Sequence, residues 1–197
     1  VRVSQASGRA FLETFFAGLG ANEEESQINA DGILTAALWW HPGQGQGFEK
    51  LPRFARRFRN GGLVGDAPMT WVADRTSTAL LDAGNGLGYV AGHRAMSRAI
   101  EKARTTGIAM VAVQHSNHFG TSGYHAKHAA DEGLIGIAMT NAGAEMAPWG
   151  ATQPVLGTNP WGMAVPRRDH FPIVLDMALT QSGKGMMRWL VREGLPM

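Results

Sequence analysis

The sequence of 197 residues contains no cysteine, and that absence excludes several classes of site. A disulfide framework, a thiolate metal centre and a cysteine nucleophile all need the missing side chain. No apolar run approaches the roughly 20 residues that a membrane-spanning helix requires. Residues 1–10 also lack the charged and apolar segments of a signal peptide. We therefore expect a cytoplasmic protein that does not bind a membrane.

The chain also has little net charge. The 18 Lys and Arg residues nearly balance the 16 Asp and Glu residues, which leaves a formal net charge of +2. Because the basic residues form no clustered face, the composition does not favour a nucleic-acid partner. Hydrophobic residues make up 44% and charged residues 17% of the chain, a composition typical of a globular protein.

Apolar spacing and helix-start signals predict three helices in residues 1–62. The first covers residues 4–19, the second follows the N-cap candidate Asn22 and runs toward Trp40, and the third covers residues 49–59. A loop rich in glycine separates the second helix from the third. The residues of the third helix expected to face outward are Arg53, Arg56, Arg57 and Arg59.

Residues 63–197 combine short strands with helices, which predicts a mixed α/β core next to the helical layer. Helices are expected at residues 92–104 and 123–132. Apolar runs at residues 108–114 and 134–140 predict buried strands on either side of the second of these helices. Shorter strand patterns cover residues 69–73, 79–82, 162–165 and 172–175. No helix is expected at the C-terminal end.

Two histidines that follow the strand at residues 108–114 are candidates for proton exchange. His115 and His118 stand where the strand ends, and α/β proteins often place reactive groups at the carboxyl ends of strands. Histidine exchanges a proton near neutral pH. The alternative is that either histidine only caps the strand and satisfies backbone groups.

Three other patterns in the sequence are weaker indications of a functional site. His118, His125 and His128 have no acidic residue between them and lie close to Lys127, so we expect no metal site. The glycine-rich segments do not match the G-x-G-x-x-G fingerprint, so they do not support a Rossmann dinucleotide site and favour plain turns. Asp176 ends an apolar strand, where a carboxylate can orient a histidine or bind a ribose hydroxyl; a helix N-cap is the alternative.

Five ordered motifs resemble one enzyme family. They are Ser-Asn-His-Phe-Gly at 116–120, Gly-Ile-Ala-Met-Thr-Asn-Ala at 136–142, Ala-Pro-Trp-Gly at 147–150, Leu-Gly-Thr-Asn-Pro at 156–160 and Val-Leu-Asp-Met-Ala at 174–178. Their order and spacing are similar to those of the malate/L-lactate dehydrogenase family, a group of NAD(P)-dependent oxidoreductases distinct from the Rossmann dehydrogenases. That group includes ureidoglycolate dehydrogenase, diketogulonate reductase and cyclic imine acid reductases. The resemblance covers nearly the whole chain.

The resemblance implies a non-Rossmann α/β fold that works as a homodimer. It implies hydride transfer between NAD or NADP and a small 2-hydroxy or 2-oxo acid, or a cyclic imine acid. Residues 1–62 would carry the substrate and catalytic loop, and residues 63–197 the cofactor-binding core. Because the family continues beyond residue 197, we expect a core truncated at its C-terminus. The alternative is an inactive fragment that serves only as a binding or dimerisation module.

The resemblance also implies roles for individual residues. His118 falls on a histidine that accepts a proton or contacts substrate in some members, and Asn117 stands beside it. Lys50 and Phe54 fall on an Arg and a Tyr that contact the substrate carboxylate, so the charge is kept while the guanidinium fork and the hydroxyl are lost. Asp176 is a further catalytic candidate. The expected cofactor-binding residues are Thr140, Asn141, Ala142, Thr158, Asn159, Pro172, Ile173, Val174, Leu175, Asp176, Met177 and Ala178.

One departure from the family affects the proton donor. Most members carry Ser-His-Gly before the third helix, and that histidine is the usual donor. The aligned residues here are Gly45, Gln46 and Gly47. Because an amide is not an acid at neutral pH, the usual assignment fails at Gln46. We expect His41, in the same loop, or His118 to protonate the carbonyl oxygen or imine nitrogen as hydride arrives.

Overall fold

The computed structural model describes residues 2–39 and 44–196, which form two compact units. The first unit comprises residues 2–38 and 47–120, and the second comprises residues 39, 44–46 and 121–196. None of the helices within the described ranges is long and apolar enough to cross a membrane. The functional boundary after residue 62 concerns substrate and cofactor binding, and it stays a prediction.

The first unit begins with helices at the expected places. They are α1 (Gln5–Gly18), α2 (Glu23–Trp39), a short 3-10 helix (Phe48–Lys50) and α3 (Leu51–Arg59). The Ser4 hydroxyl accepts the N–H of Ser7 at 3.0 Å, and the Asn22 side chain accepts the N–H of Glu25 at 2.9 Å. These caps satisfy donors that the first turn of a helix leaves free, and they confirm the predicted starts of α1 and α2.

A three-stranded sheet and one long helix complete the first unit. Strand β1 (Thr70–Asp74) pairs antiparallel with β2 (Thr78–Asp82), and β2 pairs parallel with β3 (Met110–Gln114). Helix α4 (Gly88–Thr106) connects the two parallel strands and packs on them. The register pairs Asp82 with Gln114, so the carboxyl ends of β2 and β3 lie side by side. The segment that carries His115 and His118 leaves the sheet at this edge. The core between sheet and helix contains Leu81, Ala83, Ala91 and Ala95.

The second unit is an antiparallel sheet packed on one helix. Its elements are α5 (Ser122–Asp131), β4 (Gly136–Met139), β5 (Trp161–Arg167), β6 (His170–Met177) and α6 (Lys184–Glu193), with the strands in the order β4, β5, β6. Helix α5 contributes Ala126 and Ala130 to a small core with Ala164 and Val174. The expectation of no helix near the C-terminus was wrong. Residues 184, 188 and 192 are polar and lie on one face of α6, so the helical spacing was present in the sequence, although none of the residues of α6 is buried.

The mixed α/β architecture is confirmed, but two strands expected to be buried are half exposed. Met110 on β3 and Met139 on β4 are 66% and 69% exposed. One face of each sheet packs on α4 or α5, and the other carries apolar side chains in solvent. A continuous apolar run does not distinguish one covered face from two, which explains the error. The two strands also belong to different sheets, so α5 does not complete a βαβ unit.

Packing in the first unit converges on the ring of Tyr89, which is fully buried. A side chain at Gly32 on α2 would overlap this ring, and so would one at Gly120, which also has a φ of +84°. Both positions therefore need glycine, because α2 and the segment after His118 approach the Tyr89 ring too closely for a Cβ atom.

Replacing Gly32 with Ala is expected to destabilise the protein by about 1–3 kcal/mol, because the added methyl group overpacks the core around Tyr89. The matched control is Gly18→Ala on α1, where nothing lies within 4 Å of the added methyl group. Since Ala favours a helix over Gly by about 1 kcal/mol, the control should be neutral or stabilising. Denaturant unfolding measures both variants, and equal free energies of unfolding would contradict this account of the core.

Candidate active site

A recess in the first unit brings together the start of α3 and the loop after β3. Its cavity volume of about 10 Å³ is about the space that one water molecule needs, and the rest of the recess is open to solvent. Four of the residues that the sequence nominated for the site lie here together: Lys50, Phe54, Asn117 and His118. The remaining lining residues are Arg53, Arg57 and Leu63. The structure therefore brings the nominated substrate-contact residues and one candidate proton carrier to a single place.

Three cationic side chains along α3 line this recess. Lys50, Arg53 and Arg57 are spaced three and four residues apart, which puts them on one face of a helix. Arg53 is exposed, as the outward orientation expected from the sequence requires, whereas Arg57 is half-buried; the loop carrying Asn117 and His118 packs near both. Arg57 is half-buried, and its Nη2 donates to the carbonyl of Gly62 at 3.1 Å.

His118 is the most enclosed titratable group of the recess. Its ring lies 6.2 Å from the buried ring of Phe54, between centroids, and its Nε2 is buried without a hydrogen-bond partner among the described residues. Burial, and then the charges of Lys50, Arg53 and Arg57, lower the pKa of His118 to about 3. His118 is therefore neutral at physiological pH in the ligand-free protein.

Asn117 positions His118 through the loop at residues 84–88. Its Nδ2 lies 2.8 Å from the carbonyl of Asn85, 3.0 Å from the side-chain oxygen of Asn85 and 3.1 Å from the carbonyl of Gly86. A side chain at Gly88 would overlap the backbone of Asn117 and His118. The turn expected at these glycines is confirmed, and its glycine at position 88 allows the two segments to pack closely.

Three buried polar atoms of the recess lack hydrogen-bond partners within the described part of the chain. They are Nε2 of His118, Oδ1 of Asn117 and Nε of Arg57. Buried polar groups in proteins are nearly always hydrogen-bonded, and each unsatisfied one costs about 1–3 kcal/mol. A water molecule or a polar ligand in the recess would satisfy them.

His115, the other candidate after β3, is engaged elsewhere. Its Nδ1 lies 2.8 Å from Oδ2 of Asp82, and its side chain is 68% exposed. The N–H of Gly84, then His115 and Gln114, lower the pKa of Asp82 to about 2. The backbone of His115 has a φ of +50°, which is uncommon for a residue with a side chain. Sequence reasoning missed the pairing with Asp82 because it depends on the register of β2 against β3.

Asp176 is held at the start of α5. Its Oδ2 accepts the N–H of Gly123 at 2.8 Å, and its burial, opposed by this hydrogen bond, raises the pKa of the carboxyl group. A carboxylate stabilises the N-terminal turn of a helix, so Asp176 caps α5 from strand β6. Its roles in catalysis and cofactor binding stay predictions.

The expected cofactor-binding segments lie close to one another in the second unit. The side chain of Asn159 accepts the N–H of Ala142 at 3.0 Å, and the carbonyl of Thr158 accepts the N–H of Leu179 at 2.9 Å. Thr140 donates its N–H to the carbonyl of Pro160 at 3.1 Å. These hydrogen bonds join residues 140–142 and the end of β6 to the 158–160 loop.

The exposed face of β6 has the chemistry that a flat ring requires. Ile173, Leu175 and Met177 alternate with Val174 and Asp176, and only the first three are exposed to solvent. An apolar row of this kind suits the face of a nicotinamide or adenine ring. The residues present therefore fit the expected nicotinamide cofactor.

The sequence profile of malate/L-lactate dehydrogenase matches residues 3–197. The chain belongs to this family. Malate dehydrogenase of Pyrococcus abyssi is 39% identical over 194 residues, a match that covers 98% of this chain and 53% of that protein. (2R)-3-sulfolactate dehydrogenase (NADP(+)) of Chromohalobacter salexigens is 38% identical over 181 residues, covering 90% of this chain and 53% of that protein.

A solved structure from the same family has the same fold. Malate dehydrogenase from Pyrococcus horikoshii OT3 superposes with a TM-score of 0.90 at 38% identity, covering 96% of this chain and 53% of that chain. The resemblance expected from the sequence motifs is confirmed. The chain spans about half the length of the curated relatives it matches.

The loop in which most members of the malate/L-lactate dehydrogenase family carry their proton donor is described only in part. Gln46 is half-buried, and its Oε1 has no hydrogen-bond partner among the described residues. His41 lies outside the described residues. Of the two candidate donors, His118 is thus the one whose surroundings are known.

The histidines of α5 are packed into the second unit. His125 is buried and His128 is half-buried. Across residues 2–39 and 44–196, no cluster of three or more His, Asp or Glu side chains could hold a metal ion.

The low pKa of His118 predicts a specific dependence of stability on pH. Because the folded-state pKa of about 3 lies below the ordinary value of 6.5, the unfolded chain binds more protons between these values. Stability is therefore fully present above the ordinary pKa and is lost as the pH falls toward the folded-state value. From about pH 7 to about pH 4 the wild type should lose more stability than His118→Gln.

Thermal unfolding across this pH range measures the effect. The control is His170→Gln, which replaces an exposed histidine of the second unit and should follow the wild-type curve. Parallel curves for wild type and His118→Gln would show that His118 is not held neutral by its surroundings.

Proposed function

We propose that the chain carries the acid-binding and proton-transfer site of an NAD(P)-dependent oxidoreductase that acts on a small 2-hydroxy or 2-oxo acid. The observation that carries the proposal is the recess, where cationic side chains lie near a neutral histidine and three buried polar atoms have no hydrogen-bond partner among residues 2–39 and 44–196. Membership of the family supports the reaction class. The malate dehydrogenase and the NADP(+)-dependent sulfolactate dehydrogenase among its relatives support a hydroxy acid and a nicotinamide cofactor.

The substrate carboxylate binds at the cationic side of the recess. Lys50 supplies a positive charge, although its ammonium group lacks the planar fork of an arginine. Phe54 forms an apolar wall beside His118. Oδ1 of Asn117 is free to accept a hydrogen bond from the substrate hydroxyl, because the Asn117 amide nitrogen already contacts the loop at residues 84–88.

His118 moves the proton at its Nε2 atom. In the oxidative direction the neutral ring accepts the hydroxyl proton, and in the reductive direction the protonated ring returns it to the oxo oxygen or imine nitrogen. A bound carboxylate offsets the charge of the three cations, which raises the affinity of Nε2 for the proton that it must carry. When bound, the nicotinamide cofactor supplies or accepts the hydride.

The second unit would hold the cofactor with the segments joined by Asn159, Thr158 and Thr140, and with the exposed row of β6. The N–H of Gly123 holds the Asp176 carboxylate at the start of α5. We therefore assign Asp176 a role in positioning the cofactor-binding segments of the second unit. A homodimer and a cytoplasmic location remain predictions. His41 remains the alternative proton donor.

The test is reduction of a panel of 2-oxo acids and cyclic imine acids by the purified chain, followed by the absorbance of NADH or NADPH. His118→Gln should lower kcat by about two orders of magnitude or more, because a general acid–base contributes that much. The control His115→Gln should retain kcat, since His115 faces Asp82 and solvent. If both His118→Gln and His41→Ala keep the wild-type kcat, neither histidine is the donor.

A binding module without catalysis is the second candidate function. Gln46 at the position of the usual proton donor favours it. Such a module would show a higher melting temperature with NADPH or with an acid ligand, since a ligand of the folded state stabilises it. It would consume no reduced cofactor with any member of the panel.

A further inference from the structure

We propose that Phe16 is a positioning residue of the candidate site, because its ring holds the ring of Phe54 against His118. Phe16 lies on α1 and does not line the recess, so it acts through Phe54. The consequence for catalysis rests on the proposed function, in which His118 moves the proton. The consequence for the enclosure of His118 is independent of that function.

Three rings connect α1 to the recess. The ring of Phe16 meets that of Phe54 edge to face, with 5.4 Å between the centroids and 78° between the planes. The Phe54 ring lies 6.2 Å from the His118 ring, at an angle of 51°. Edge-to-face contacts between aromatic rings are favourable and depend on the orientation of both rings. The Phe16 ring therefore favours one orientation of Phe54, and in that orientation Phe54 faces His118.

Both phenylalanine rings lie in the core of the first unit. The side chain of Phe16 is 0% exposed, and that of Phe54 is 4% exposed. Because protein interiors are close-packed, the shape of the side chain at position 16 decides how much room the Phe54 ring has. A smaller side chain without a ring leaves space on the α1 side. The Phe54 ring can turn into that space, and it then leaves the side of His118.

Helix α1 makes a second aromatic contact with the segment that carries the recess. Phe11 stacks on Phe48 with 6.4 Å between the centroids and 24° between the planes. Phe48 begins the short 3-10 helix that leads into α3, and Phe54 lies in α3. Helix α1 therefore contacts both ends of the segment that presents Lys50 and Arg53 to the recess. The first helix, which has no residue in the recess, supports one wall of it.

The Phe54 ring keeps water from one side of His118. Burial is the largest cause of the low pKa of His118, ahead of the charges of Lys50, Arg53 and Arg57. If the Phe54 ring turns away, water reaches the imidazole while the three charges remain in place. The pKa of His118 then rises, because the cost of charging the imidazole falls when water can solvate it.

The first experiment follows the protonation of the His118 ring by nuclear magnetic resonance between about pH 4 and pH 7, without any ligand. In Phe16→Leu the pKa of His118 should rise from about 3 toward the ordinary value of 6.5. Phe16→Tyr keeps the ring and should leave the pKa low, although its buried hydroxyl lowers the melting temperature. The control Leu12→Val shortens another fully buried side chain of α1 and should also leave the pKa low.

A double variant tests whether Phe16 acts through Phe54. The pKa of His118 in Phe16→Leu/Phe54→Leu should equal that in Phe54→Leu alone, since two changes that act on one contact are not additive. A pKa that stays near 3 in Phe16→Leu would overturn the proposal. An equal rise in Leu12→Val would also overturn it, because the rise would then follow from general loosening of α1. If Phe16→Leu does not fold, Phe16→Met provides an apolar side chain without a ring that adapts to the same space.

Turnover then distinguishes this proposal from the proposed function. In the oxidative direction, Phe16→Leu should move the acid limb of the pH profile of kcat/KM to higher pH, because this profile reports ionisations of the free protein. An inert chain whose His118 pKa rises in Phe16→Leu would refute the oxidoreductase function and support the positioning role. An active chain whose His118 pKa and acid limb both stay unchanged in Phe16→Leu would support the oxidoreductase function and refute the positioning role.

Discussion

The amide group of Asn117 fixes the recess in place, because it ties the loop after β3 to the loop after β2. Its nitrogen lies within 3.1 Å of three oxygen atoms of Asn85 and Gly86. The N–H of Asn85 in turn donates to the carbonyl of His115 at 2.8 Å. These contacts exist only because β2 and β3 are parallel neighbours whose carboxyl ends coincide. With the loops joined, His118 is placed against Phe54 and the cations of α3.

The charges in the recess couple the binding of an anion to the protonation state of His118. In the ligand-free protein, burial and three positive charges keep the imidazole neutral. An anion that enters offsets those charges, and the affinity of the imidazole for a proton then rises. Under the proposed function, an acid bound beside these cations would return part of the proton affinity that the cations remove from His118.

Local signals in the sequence are sufficient for much of the fold. The apolar spacing of α1, α2 and α3 and the cap at Asn22 depend on residues a few positions apart, and these predictions are confirmed. The family motifs also led to four residues that the recess brings together. The exposure of one face of each sheet was missed, because an apolar run does not report what covers it. Helix α6 was missed although its polar residues recur with helical spacing.

Contacts between distant segments of the chain determine that Arg53 and Arg57 line the recess. Such contacts also determine that His115 pairs with Asp82. The spacing of Lys50, Arg53 and Arg57 in the sequence could have indicated that they share one face of the helix, but not which segment packs against that face.

The most direct test of the site is a nuclear magnetic resonance titration of the His118 ring with and without malonate. We predict a pKa near the low value of about 3 without ligand and a clear rise with malonate. A pKa near 6.5 that malonate does not change would contradict the coupling between anion and histidine.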